Sequence, residues 1–443
     1  MINSLLKQFK LMLIFITVRS LTNGKKVLPL AMIQWKEKSK SYLSGGLLGY
    51  YFCHNQNCKM NLISMLRILY VRRLSYSCAS LDAKPSDISK PEFAKLLEST
   101  SGDYDFKEVK LLSLLPANWP RELEGKGFPH AWHLAESAKT SRVEFFDYPT
   151  NFISGNPNVN NIDDITKEWR EINEFIDKIQ PNLIILSGHK RSFSNKNING
   201  LMRLRRNHPG VKVCLLLLDD WSLEYQAMIE SWDNFVDYIL VYEFESVLFN
   251  NVILKNAKFL IWPFPRKSVK PNSVTPVSKL SFNFYGSIYL NRLPWLLLLK
   301  SYLKKSKIDL DLIIDTGSLN AIHKLDIEQY LNKYVGSNKV FLHFLERTPN
   351  VYTFTSSVWD SFSHQSLVVV QTNFNNDPVQ NFFKPGVHYL RFRCSHELIV
   401  LVDWINRNRL QAQEIAIAGN AYFKKNYNSN KLFSYLFQNI LDC

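Results

Sequence analysis

The chain has 443 residues, of which 46% are hydrophobic and 13% aromatic: enough for sizeable cores and too many for one, so two domains are expected. Its formal net charge of +15 is concentrated, because residues 1–80 carry twelve basic side chains against one acid, Glu37. The remainder is nearly neutral, which argues against a nucleic-acid-binding core with a basic face. Six scattered cysteines (Cys53, Cys58, Cys78, Cys214, Cys394 and Cys443) do not make a disulfide framework and point to a reducing, cytoplasmic setting.

Residues 1–105 mix short apolar runs with Lys and Arg and give no fold pattern. Three readings stand: a targeting or membrane-surface arm, a small accessory structure, or an upstream extension outside the working protein. The apolar run 12–18 is too short to span a bilayer, which needs about 18 residues. Cys53-His54 and Cys58 have half of a zinc pattern, without a second ligand pair.

From Val109 the texture changes. Apolar runs at 109–115, 142–146, 181–188, 211–218, 237–241 and 259–262 read as strands, separated by helices predicted over 129–138, 165–179 and 198–206. This rhythm means βαβ units and a parallel sheet, in a first domain spanning 106–265. Four prolines between Pro263 and Pro276 give linker composition over 266–278. A second α/β set follows over 279–443, with strands at 280–285, 308–314, 340–344, 367–370 and 388–392. Its helices are predicted over 293–304, 326–334, 396–406 and 410–426. The fold class is therefore α/β, two doubly wound Rossmann-like domains facing across a cleft, preceded by the basic segment.

Ligands of such folds bind at the carboxyl ends of the strands, near the interface between domains. Four places there carry chemistry-bearing residues. Tyr285-Gly286-Ser287, with Arg292, forms a strand-to-helix turn whose amides can approach a diphosphate while Arg292 adds charge-assisted contacts; a plain connecting turn explains the same residues. In the stretch Thr355–Thr372, Ser356 or Ser357 can cap a short helix, with Asp360 in its first turn, favoured by the dipole. Asp360 could accept both hydroxyls of a ribose and Ser361 could serve phosphate; the bland alternative is an ordinary capped helix. The loop Gly125-Lys126-Gly127-Phe128-Pro129-His130-Ala131-Trp132-His133 faces the cleft, and His130 at the helix start is a candidate base kept neutral by the dipole, or simply structural. Asp219-Asp220-Trp221 follows the fourth strand, where Asp220 could hold an acceptor or act as base, or merely cap the next helix. Asp309-Leu310-Asp311 has the spacing of a metal-binding Asp-x-Asp, but Ile308, Leu310, Leu312 and Ile314 alternate with the acids, as in a strand with one wet face.

From about 109 to 441 the chain resembles the two-domain (GT-B) glycosyltransferases of the spore-maturation-protein type. The residues that carry the resemblance are Phe382-Phe383-Lys384-Pro385-Gly386-Val387-His388-Tyr389-Leu390-Arg391-Phe392, then His396-Glu397-Leu398, then Ala412, Ile415, Ala416, Gly419, Asn420 and Ala421 in the closing helices. Tyr285-Gly286-Ser287 with Arg292 looks like the opening of the donor domain. Where the family carries Arg and Glu before a small turn, this chain has Trp359-Asp360 and Gln365-Ser366. The resemblance implies a hexosyltransferase-like transfer of a sugar from a nucleotide-sugar donor to a glycan, lipid or protein hydroxyl, metal-independent, with inversion and with no cofactor. The charge distribution, for its part, argues against a nucleic-acid partner and leaves the basic segment for peripheral membrane contact. The alternatives are an inactive two-lobed sugar- or nucleotide-binding scaffold and a nucleotide-sugar epimerase.

Overall fold

The structure is a computed structural model that describes residues 106–115, 129–150, 162–188, 195–217, 226–241, 254–266, 280–285, 293–306, 310–315, 339–348, 351–352, 354, 356–372 and 377–441. The expectations for 1–105, for Gly125–Phe128, for Asp219–Trp221, for Gly286–Arg292 and for the helix at 326–334 lie outside these residues.

The unbroken apolar runs form strands, and the central ones, such as 212–217, 238–241 and 367–371, are buried on both faces. The first sheet holds β1 (Lys110–Leu114), β2 (Glu144–Asp147), β3 (Leu183–Gly188), β4 (Lys212–Leu217), β5 (Tyr238–Val241) and β6 (Lys258–Ile261), in the order β2-β1-β3-β4-β5-β6 with every pairing parallel. Its helices are α1 (Pro129–Thr140), α2 (Ile162–Ile179), α3 (Asn195–Asn207) and α4 (Gln226–Trp232). The second sheet holds β7 (Leu280–Tyr285), β8 (Leu310–Asp315), β9 (Lys339–Phe344), β12 (Leu367–Gln371) and β13 (Leu390–Phe392), in the order β13-β12-β9-β7-β8, again all parallel. Between β9 and β12 come a small hairpin, β10 (Glu346–Thr348) with β11 (Val351–Tyr352), and α6 (Ser356–Ser363); α5 (Leu293–Ser306) follows β7. The chain ends in α7 (Ser395–Arg407), α8 (Arg409–Asn426) and α9 (Ser429–Ile440). In each sheet strand order reverses once, between β1 and β3 and between β7 and β9, and such switch points open crevices at the strands' carboxyl ends.

The period-2 alternation of β12 divides two cores. Leu367 and Val369 face one with Phe282, Phe344, Leu398 and Val402, while Val368 and Val370 face the other, which continues through α6 and α9 into the first sheet. The helix α9 is absent from the sequence prediction, and so are α4 and the hairpin. It lies on the first sheet: Trp262 Nε1 donates to Leu432 O at 3.0 Å, Tyr238 OH donates to Asn439 O at 2.7 Å, and Phe437 meets Phe106 edge-on at 5.5 Å. The contiguous span 279–443 assigned from sequence to the second domain thus includes a helix packed on the first. Its start is capped by Asn428, whose side chain accepts from Lys431 N at 3.0 Å.

Phe437 is fully buried. Phe437→Ala is expected to cost about 3–5 kcal/mol, the usual penalty for emptying an aromatic core position, read as a lowered denaturant midpoint. Gly419, where an added Cβ would lie 2.5 Å from His388 O, is expected to destabilise as Ala by about 1–3 kcal/mol in the same measurement.

Candidate functional site

The helix α6 follows the carboxyl end of β9, beside the switch point of the second sheet. One side of it is apolar and locked. Trp359, 1% exposed, sits in a box of Phe354, Phe382, Phe383 and Tyr427 with ring centroids 4.8–5.5 Å away, and Phe362 stacks on Phe383 at 3.7 Å. Its carboxyl end is satisfied from α8: Asn420 Nδ2 donates to Phe362 O at 2.7 Å and to Ser363 O at 3.1 Å, and Gln365 turns the chain at φ 61°. Asn420 and Gly419, which carry part of the family resemblance, are therefore the residues that hold this helix.

The other side is polar: Ser357, Asp360, Ser361 and His364 fall at i, i+3, i+4 and i+7. The sequence predicts Asp360 in the first turn, under the helix dipole. In the structure Ser356 and Ser357 are themselves helical and Asp360 is the fifth residue, so the first turn holds no acid. A direct ion pair takes the place of the dipole. Arg266 Nε donates to Asp360 Oδ1 at 2.7 Å, and His133 Nε2 lies 3.3 Å from the same oxygen. Three separate segments meet here: α1 supplies His133, the strap leaving β6 supplies Arg266, and α6 supplies Asp360. The His133 and Arg266 side chains are 1% exposed, whereas Asp360 retains 29%. Arg266 is fixed in turn, with Nη1 3.4 Å from both Phe264 O and Pro265 O and its guanidinium carbon 4.9 Å from the Phe264 ring centre.

Burial alone would raise the Asp360 carboxyl, but the Arg266 guanidinium and the His133 contact outweigh it and hold the group well below the usual carboxylate range. Burial pushes His133 down to about 4 against the pull of Asp360, and lowers His364 as well. At neutral pH the site is an ionised carboxylate between a guanidinium and a neutral imidazole.

Ser361 is committed inside the fold. Its hydroxyl donates to Ser357 O at 3.0 Å and lies 3.0 Å from His343 Nε2 on β9. The His343 ring is held between two serines of α6, with Nε2 at Ser361 Oγ and Nδ1 3.3 Å from Ser357 Oγ. Of the other predicted site residues, His130 is the second residue of α1, one turn before His133, with its side chain outside the described residues. Asp220, Gly286, Ser287 and Arg292 lie outside them altogether. Of the predicted set, then, the structure places Asp360 and Ser361 side by side on α6. It adds two residues the sequence reading passed over: His133, which ends the loop stretch quoted for His130, and Arg266, counted with the linker. Among the described residues no group of His, Cys, Asp or Glu could hold a metal ion, and no helix is long and apolar enough to cross a membrane. Asp311 lies inside β8, opposite Ser281 of β7.

No protein-family model and no curated protein sequence matches the chain. Solved structures do. The crystal structure of Anabaena Alr3699/HepE in complex with UDP-glucose is similar over 75% of this chain and 99% of that one, at 10% identity and a TM-score of 0.52. TarM covers 61% of this chain and 58% of its own at 12% identity and a TM-score of 0.43, and the glycosyltransferase SnogD from Streptomyces nogalater covers 74% and 98% at 9% and 0.38. At these identities the likeness is one of fold: the chain has the two-domain GT-B architecture.

The lowered His133 sets a pH dependence. Between about 6.5 and 4 the unfolded chain binds a proton that the folded chain refuses, so stability falls as pH falls through that window, by on the order of 3 kcal/mol at full extent. Asp360, held low, extends the loss below the ordinary carboxylate range. Thermal unfolding followed from pH 7 to pH 4 is expected to show this decline, with the slope reduced by about one proton in His133→Gln. Asp360→Ala, which strands a buried guanidinium, is expected to cost about 3–5 kcal/mol at neutral pH.

Proposed function

We propose that the chain is a glycosyltransferase that moves a sugar from a nucleotide-sugar donor to a hydroxyl acceptor. The observation that carries this reading is a part-exposed carboxylate, Asp360, beside the switch point of the second sheet, with one oxygen anchored and Oδ2 uncommitted among the described contacts. A fixed acceptor in a crevice of this kind suits the vicinal hydroxyls of a ribose. HepE, of like fold, was crystallised with UDP-glucose and with UDP, which supports a nucleotide sugar as the donor class. The finer assignment to the spore-maturation type rests on the sequence resemblance over 382–392 and 412–421.

The reaction is a direct displacement with inversion and without a metal. The acceptor oxygen attacks the anomeric carbon, the bond from that carbon to the donor phosphate breaks, and the acceptor proton passes to His130 or Asp220. The diphosphate leaves with its charge met by the amides of Gly286 and Ser287 and by Arg292, since donors aimed at a developing charge stabilise it strongly. Glycan, lipid and protein hydroxyls all remain acceptor classes, and the basic segment 1–105 would bring the enzyme to an anionic membrane surface.

A second reading has its own support. Ser361, expected to serve phosphate, spends its hydroxyl within the fold, and Asp360 gives one oxygen to Arg266, as in a protein that kept the cleft for binding alone. Purified protein incubated with UDP-, GDP- and ADP-sugars separates the two. A transferase shows slow donor hydrolysis, reduced about 100-fold in Arg292→Ala, as when a leaving-group donor is removed, and about tenfold in Asp360→Asn. Binding without turnover favours the scaffold, interconversion of donor sugars without an acceptor favours an epimerase, and failure to bind any nucleotide contradicts the proposal.

A further inference from the structure

In the proposed function Asp360 is the ribose contact. We infer that Arg266 and His133 are positioning residues for it, so that ribose recognition in the second domain is completed by groups from the first domain and its exit strap. This rests on the reading of Asp360 as the ribose acceptor.

A free aspartate on a helix surface turns about two side-chain bonds, and stilling it on binding costs affinity. Here that cost is met in advance. Arg266 Nε and His133 Nε2 both converge on Oδ1, which leaves Oδ2 as the oxygen for a ligand. Both holding groups are themselves immobilised. Arg266 is clasped by the carbonyls of Phe264 and Pro265 and lies over the Phe264 ring, Phe264 packs edge-on against Trp262 at 5.5 Å, and Trp262 bonds to α9. His133 is carried by α1, which packs on the same α9. On the opposite side of the contact, α6 is braced by Asn420 and by the box around Trp359. The carboxylate is therefore aimed only while the two domains are docked as they are here, and ribose affinity reports that docking.

The test is calorimetric titration of the full chain with UDP, GDP and ADP and with their 2′,3′-dideoxy counterparts, for wild type, His133→Gln, His133→Asn, Arg266→Lys and Asp360→Asn. A glutamine places its amide nitrogen near the position of His Nε2, within reach of Oδ1; an asparagine stops short, near Nδ1. Wild type and His133→Gln are expected to prefer the ribonucleotide by about tenfold or more, the worth of a hydrogen bond to a charged group. In His133→Asn and Arg266→Lys that preference falls toward one, while dideoxynucleotide affinity stays unchanged. Equal weakening of both nucleotides in these variants, or an unchanged ratio, overturns the inference and leaves the donor reading standing. A wild type that binds no nucleotide, or an Asp360→Asn protein with the wild-type ratio, overturns the donor reading and the inference with it. Should Arg266→Lys fail to show a thermal transition, the His133→Gln and His133→Asn pair decides the outcome by itself.

Discussion

A guanidinium sealed from water needs a carboxylate, and this structure is arranged around satisfying that need. Arg266 leaves the last strand of the first sheet, turns inward, and finds Asp360 on a helix of the second. Removing two charges from water offsets most of what their attraction returns, so the pair adds little net stability; breaking it is what costs. Its contribution is geometric. Asp360 can meet Arg266 and His133 at one oxygen only in one relative placement of α1, the strap and α6.

The remaining contacts make that placement rigid. The terminal helix α9 crosses back to the first sheet and carries Leu432, Phe433, Leu436 and Phe437 into its core, so the chain passes between the domains once through the strap and once through α9. Asn420 closes the free carbonyls of α6, and the aromatic box beneath Trp359 prevents that helix from sliding. With the apolar side of α6 locked in that box, its polar side meets β9 and the first domain, where Ser361 and His364 are buried and Asp360 stays part-exposed.

Much of this was legible in the amino-acid sequence, and the divide is physical. Strands such as Leu367–Gln371 announce themselves because a strand buried on both faces is apolar along nearly its whole length, here Leu367 to Val370. Local composition placed the two parallel sheets and the helix that carries Asp360. The partners of Asp360 left no local trace, because His133 and Arg266 stand far from it in sequence and are brought in by the docking of domains. The setting of α6 slipped for a related reason: Ser356 and Ser357 have the composition of a cap, but burial of Val358, Trp359 and Phe362 and the Ser357 bond to His343 draw both serines into the helix. The helix α9 was passed over although Leu432, Phe433, Leu436, Phe437 and Ile440 recur at helical spacing and make one apolar stripe; what the sequence does not tell is that this stripe packs on the first sheet, far away along the chain.

The most direct test of the central claim is a crystal structure of the chain grown with a nucleoside diphosphate. The diphosphate is expected in the crevice of the second sheet, beside the turn after Tyr285, with a ribose hydroxyl in hydrogen-bonding range of Asp360 Oδ2 while Oδ1 stays on Arg266. A nucleotide bound elsewhere, or bound in that crevice with its ribose turned away from Asp360, would contradict it.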